Sequence, residues 1–270
     1  MCTIVILHHV VADLPLVVAA NRDEFYARTA SGPQVLHPRS GARPLAIGGV
    51  DGALGGSWMG ATEAGLFVGL TNQRTFRPAN RELRSRGEVV TRALQHRSVA
   101  AVHDYLAGLD GRQFNPFNLL YGDGRALELC RAHPGAAALT FEPVPDGIHV
   151  LPNDGLDSPR FPKVERARDL LGTPSTLATL PWPELQERLT AVLADHHRPP
   201  ADGVDEPPPD SILTREWLVQ LQALCIHTEV YGTCSATIAA IAPGRVVHYA
   251  FAPGPPCQTS FEDVTALLSG

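Results

Sequence analysis

Residues 1–24, MCTIVILHHVVADLPLVVAANRDE, decide how the rest of the chain is read. Residues 3–11 and 16–20 are rich in β-branched and aliphatic side chains and flank Ala12-Asp13-Leu14-Pro15. The stretch is therefore predicted to be an antiparallel hairpin turning near residue 13. That register sets Cys2 opposite residues 22–24 and brings Asn21, Arg22, Asp23 and Glu24 beside it. Four polar residues after an apolar strand commonly form a solvated turn; their placement against Cys2 is what favours chemistry. Removal of Met1 would leave a thiol and a free α-amine on one residue. The unperturbed thiol titrates near ~8.5 and the amine near ~7.7–8.0, so at neutral pH part of the amine can accept the thiol proton. A nucleophile of this kind needs no separate histidine base.

Composition narrows the rest. With 270 residues, 44% of them hydrophobic, the chain can bury one substantial core, and a single domain over residues 1–270 is expected. Lys and Arg total 22 against 28 acids, for a net charge of −6, and no long basic run occurs, which argues against a nucleic-acid partner and for a small molecule. The five cysteines are odd in number, widely spaced and without Cys-x-x-Cys, which suits a reducing compartment. The apolar start has no basic leader and is broken by His8, His9, Asp13 and Pro15, unlike a secretory signal. No stretch approaches the ~18 apolar residues of a membrane span, so a cytoplasmic location is expected.

Residues 48–75 alternate apolar runs with glycine-containing turns, as in short antiparallel strands. Residues 87–109 carry apolar positions at helical spacing and predict two helices separated near Ser98. Strands are expected at 117–121, 125–130, 138–141 and 147–152, and a helix from about Pro162. The clearest helix is 183–197, with Leu185, Leu189, Val192 and Leu193 as its buried stripe behind Pro183. A Pro-rich loop follows at 198–210, and 223–251 reads as a return to the main sheet. Grouped strands and grouped helices predict an α+β fold, and a helix–sheet–sheet–helix sandwich absorbs this order.

Other constellations carry less. The pairs His8-His9 and His196-His197 would point apart on a strand or sit about 100° apart on a helix, so neither makes a metal face alone. Cys225-x-His227 offers two ligands on one side of a strand, short of the tetrahedral set zinc prefers. GGVDGALGG (48–56) lacks the spacing and the lysine of a phosphate loop and reads as a strand turn. Trp58, Phe25 and Tyr26 read as core or pocket wall. No metal and no cofactor are expected.

The segments MCTIVI, AANRDEFYAR (19–28), GGSWMGATEAGLFVGLTNQR (55–74), RSRGEVV (84–90), FNLLYGD (117–123), LPNDGLDSPRFPKVERAR (151–168) and HTEVYGTCSATI (227–238) run in order over most of the chain. Together they resemble the NRDE family, which includes the transport-and-Golgi-organisation proteins and is related in fold to the N-terminal-nucleophile (Ntn) hydrolases. The resemblance implies an αββα sandwich of two antiparallel sheets between helical layers, with Cys2 at the mouth of a pocket between sheet ends. A more remote likeness to the choloylglycine hydrolase and penicillin V acylase branch implies roles for single residues. Arg22, with Asp23 or Glu24, stands for that branch's basic residue and acid, Asn72 in GLTNQR for its oxyanion-side Asn, and Asn153 in LPNDGLDSP for a second. Asn21, Trp58 and Arg74 are the substrate-side candidates. Two departures stand out. Asn-Arg-Asp-Glu is not the Arg-x-x-Asp spacing of the acylases, and Cys234 occupies the place where the family is expected to read Arg in YGTRS. The resemblance implies either an Ntn-type cysteine amidohydrolase acting on a small non-peptide amide or thioester, or a non-catalytic intracellular protein handling haem, lipid or acyl-CoA in the same pocket.

Overall fold

The computed structural model describes residues 2–269, and of Cys2 the backbone alone. In chain order the strands are β1 (Cys2–Val11), β2 (Leu14–Phe25), β3 (Ala30–His37), β4 (Ala46–Asp51), β5 (Met59–Thr62), β6 (Phe67–Asn72), β7 (Phe117–Gly122), β8 (Leu127–Ala132), β9 (Thr140–Pro143), β10 (Gly147–Leu151), β11 (Tyr231–Ala242), β12 (Arg245–Ala252) and β13 (Glu262–Asp263). The helices are α1 (Arg86–Ala93), α2 (Val99–Ala107), α3 (Pro162–Leu171), α4 (Pro174–Leu177), α5 (Trp182–Leu193) and α6 (Arg215–Gln220). They build two antiparallel sheets, one ordered β10-β1-β2-β11-β12-β13 and the other β3-β4-β5-β6-β7-β8-β9.

Strand alternation explains the layers. In β1 and β2 the even residues Ile4, Ile6, Leu16, Val18 and Ala20 pack against Ile47, Met59, Phe67, Leu120 and Leu129 of the second sheet. The odd residues Val5, Leu7, Val17 and Ala19 pack against Val164, Ala167 and Leu171 of α3 and Leu185, Leu189 and Val192 of α5. Both faces of the first hairpin are thus buried, so it reads as an uninterrupted apolar run. On the far side, Val89, Val90 and Leu94 around α1 and Val102 and Leu106 of α2 cover Val68, Leu119 and Tyr121. The α+β sandwich expected from the sequence is the observed architecture.

The hairpin turns tightly, with Val11 paired to Leu14 and Cys2 to Arg22. Asn21, Arg22, Asp23 and Glu24 do not form a solvated turn; they continue β2, all four paired to β11 and Asn21 and Arg22 also to β1. Three expectations change. His8 and His9 do not diverge, because a bulge with His9 at φ 52° stacks their rings at 4.2 Å, beside Asp146. Helix α5 stops at Leu193 rather than 197, since the Asp195 carboxylate accepts from the His197 N–H and its carbonyl from the Cys225 N–H, drawing the chain away. Phe25 is 56% and Tyr26 46% exposed, so neither belongs to the core; the Phe25 ring stands edge-on to Tyr231 at 5.2 Å. The edge strand β3 and the short helices α4 and α6 carry too few periodic positions to announce themselves. The 198–210 segment contains one 3₁₀ turn, Ala201–Gly203.

Candidate functional site

Adjacent residues on a strand face opposite ways, and β2 uses this to separate its charges. Arg22, 7% exposed, continues the even face between the sheets, where its guanidinium carbon lies 4.6 Å from the centre of the Trp58 ring. Asp23 is buried on the helix side, accepting from the Thr233 hydroxyl at 2.7 Å. Burial pushes the Asp23 carboxyl up, opposed chiefly by the Lys163 cation from α3. Lys163 is itself buried and donates to the Thr3 hydroxyl at 3.3 Å. Glu24, at the strand end, accepts from the Phe25 N–H and approaches Arg28, whose guanidinium makes a two-toothed pair with Asp51. That pair holds Asp51 below the usual carboxylate range despite its partial burial.

Trp58 reaches Arg22 because Gly49 leaves room. A Cβ at position 49 would lie 2.1 Å from the Trp58 ring, well inside contact distance. Gly49→Ala is expected to push the ring off Arg22 at a cost of about 1–3 kcal/mol. Thermal melting measures the cost, and a change in tryptophan emission absent from the Trp58→Phe background locates it; unchanged emission would count against the contact. Trp58, Arg22, Ala20, Met59, Leu70, Ser235 and Thr237 line a crevice between the sheets that is too tight as it stands to hold water.

A second cluster lies at the end of β6. Asn153, in the turn after β10, is buried and donates through Nδ2 to the Asn72 carbonyl at 2.8 Å, while its own carbonyl accepts from the Arg74 N–H at 2.8 Å. The turn is pinned by Asn118, which donates to the Thr71 hydroxyl and the Asp154 carbonyl, and by the Thr71 hydroxyl donating to the Pro152 carbonyl. Asn72 and Asn153, 81 positions apart, therefore meet. Arg74 stacks on Phe161 with its guanidinium carbon 4.4 Å from the ring centre, and its buried Nε and Nη2 have no hydrogen-bond partner among the described residues. Burial lowers its pKa to about 10. Such a cation suits an anionic group brought from outside.

Other candidates are committed to the scaffold. Asn21 donates to the Leu193 and Leu224 carbonyls, both at 2.8 Å, and so latches the end of α5 to the segment before β11. Cys234 is the extra residue of a bulge between Thr233 and Ser235, with its thiol against the Glu24 and Gly232 carbonyls. Burial raises its pKa, partly offset by Arg22. Sequence reasoning missed Lys163 and Thr233. Lys163 falls in a helical pattern, PKVERAR, where a lysine is ordinarily solvated, and only its place on the buried side of α3 betrays it. The Cys2 thiol, its distance to the charged groups of β2, and the state of Met1 lie outside the described residues.

This layering of two antiparallel sheets between helices is an Ntn-hydrolase-like αββα fold. It is shared with the C2A mutant of conjugated bile acid hydrolase from Clostridium perfringens (TM-score 0.54, 11% identity, covering 99% of this chain and 94% of that one). It is shared too with a Caenorhabditis elegans ortholog of N-acylethanolamine-hydrolyzing acid amidase (TM-score 0.51, 11% identity, 88% and 92% covered). The chain belongs to the Transport and Golgi organisation 2 family, whose model matches residues 1–250. Among its relatives, the Transport and Golgi organization protein 2 homologs of Bos taurus and Homo sapiens are 29% and 28% identical, each over 83% of this chain and 80% of theirs.

Proposed function

We propose that the protein is an N-terminal-cysteine hydrolase acting on a small acyl amide or thioester. The observation that carries this reading is the register of β1 on β2, which sets the Cys2 position directly across from the buried Arg22 at one end of the sheet sandwich. The Ntn-type amidohydrolases with the same fold support the reaction class.

In this reading Met1 is removed and the thiol proton passes to the freed α-amine. The thiolate, favoured by Arg22, adds to the substrate carbonyl, and the resulting oxyanion takes N–H donors from Asn72 and Asn153 together with a backbone amide. Asn153 has one amide hydrogen left after its bond to the Asn72 carbonyl. Collapse expels the amine or thiol, which takes the proton from the α-ammonium and leaves a thioester on Cys2. Water then attacks, giving its proton to the α-amine, and releases the acid. Asp23 and Glu24 orient the α-ammonium, Trp58 forms the movable wall of the acyl crevice, and Arg74 receives an anionic group on the substrate. The carrier reading keeps the same pocket and predicts binding without turnover.

Intact mass and timed alkylation test the proposal together. The purified protein should lack the Met1 mass, and Cys2 should react with iodoacetamide at pH 7 faster than the other cysteines. Burial pushes the Cys130 thiol to about 12 and raises Cys234, so these react slowly. A Cys2 pKa one unit below the free value of ~8.5 alone raises its thiolate fraction roughly tenfold. Arg22→Ala should slow labelling of Cys2 and slow the already sluggish Cys234 further, while leaving Cys130 unchanged. Slow labelling of processed Cys2 with no response to Arg22→Ala would favour the carrier.

A further inference from the structure

Sequence spacing supplies only Cys225 and His227 as neighbouring soft ligands, and the fold brings two more to them. His196 arrives from the segment after α5, and Cys257 from the turn after β12. One nitrogen or sulfur of each of the four lies within 4.8 Å of all the others. We propose that His196, Cys225, His227 and Cys257 form a structural zinc site that clips these three chain segments together.

The distances match a tetrahedron around an ion. With Zn–S of about 2.3 Å and Zn–N of about 2.0–2.1 Å, tetrahedral edges are about 3.8 Å between sulfurs and about 3.6 Å between sulfur and nitrogen. The two thiols are free and 3.7 Å apart, and His227 Nε2 lies 3.6 Å from Cys225 Sγ and 3.2 Å from Cys257 Sγ. The His196 ring packs 5.1 Å from that of His227, with Nδ1 against the Cys225 carbonyl at 3.1 Å. A histidine that donates one ring N–H to a backbone carbonyl keeps the lone pair of its other nitrogen aimed at a metal, the usual outer-shell arrangement of zinc histidines. Both thiols lose a proton on binding, and two thiolates with two neutral imidazoles cancel the charge of Zn²⁺. Arg198, which donates to the His227 carbonyl, then meets a neutral centre. Asp195 is engaged by Arg166 and is not needed as a ligand.

The clip brackets the supports of β2. Leu193 and Leu224, whose carbonyls receive Asn21, sit beside ligand-bearing stretches. Ile226, between the two ligands of the Cys-x-His pair, donates its N–H to the Thr233 hydroxyl that in turn donates to Asp23. The site thus fixes the helix-side wall behind Asn21 and Asp23 without touching the Arg22 face.

The test uses the full chain without an affinity tag, reduced, stripped of metal and titrated with Co²⁺. Uptake of one equivalent is expected, with the visible ligand-field bands of tetrahedral cobalt and thiolate-to-cobalt charge transfer in the near ultraviolet, both erased by one equivalent of Zn²⁺. Cys257 is exposed, so Cys257→Ser should keep the fold by circular dichroism; it should weaken Co²⁺ binding more than about 100-fold, beyond the loss from outer-shell changes. Cys234→Ser should bind as the parent does. An octahedral spectrum, no uptake by reduced protein, equal uptake by Cys257→Ser, or a Cys225–Cys257 disulfide forming in the presence of excess zinc would each overturn the site.

Discussion

Replacing Cys2 by Ala is expected to lower turnover of a small acyl amide or thioester by roughly four to six orders of magnitude while leaving the melting temperature nearly unchanged. The size follows from removing the bond-forming atom while oxyanion donors and binding remain, which retains only a small acceleration over water. Stability should hold because Ala keeps the strand backbone, whose pairing of Cys2 with Arg22 and of Thr3 with Asn21 does not depend on the thiol. Steady-state hydrolysis and a thermal melt on the same preparation measure the two effects. Undiminished turnover in Cys2→Ala would remove the nucleophile from the proposal, and binding without turnover in the parent would move the protein to the carrier class.

The largest loss of stability is expected at Lys163. This buried cation offsets part of the cost of burying Asp23, and removing one partner of a buried pair typically costs about 3–5 kcal/mol. Lys163→Met should show a deficit of that size in denaturant unfolding at neutral pH. Asp23→Asn in the same chain should restore much of it, because the Thr233 hydroxyl can still donate to an amide oxygen. The sign with pH is fixed. The folded pKa of Asp23 lies above its unfolded value, so the unfolded state is the more ionised, and stability falls as pH rises from the ordinary Asp value of about 3.9 through the raised one. Removing Lys163 raises the folded value further, so the deficit is complete above it and shrinks as pH drops through it. A deficit independent of pH, or one that Asp23→Asn deepens, would dissociate the two residues.

The first hairpin was legible in the sequence because its signal is local. Two β-branched runs and a turn near residue 13 set Cys2 opposite residues 22–24, and the bulge after His8, which nothing local announces, settles it on Arg22. Pro162 and the Leu185–Leu189–Val192 stripe announced α3 and α5 for the same reason, since each helix shows its buried face within a few turns. What stayed hidden depends on partners far along the chain. Asn-Arg-Asp-Glu looked like a solvated turn in isolation because nothing local reveals that β11 covers its other edge. Asn21 read as a substrate contact, yet its two donors meet carbonyls 172 and 203 positions away. Lys163 drew no reading of its own, because a lysine in a helical pattern is ordinarily solvated and only the packing of α3 buries it. The meeting of Asn72 with Asn153 was inferable only from resemblance, because an Asn at a strand end is equally a turn residue.

Strand β2 takes its second neighbour from very far downstream: Arg22 is paired with Ser235, a separation of 213 residues. At ribosomal elongation rates of about 5–20 residues per second, the nascent hairpin waits roughly 10–40 s with that edge uncovered. Over that interval its row of unpaired backbone groups, flanked by Val17, Val18 and Ala19, is a template for the wrong strand. Pairings this remote are slow to close after release as well. Yield in a cell should therefore depend on holdase capacity and growth temperature more than on the stability of the finished protein, and a chain halted before β11 should be recovered as aggregate.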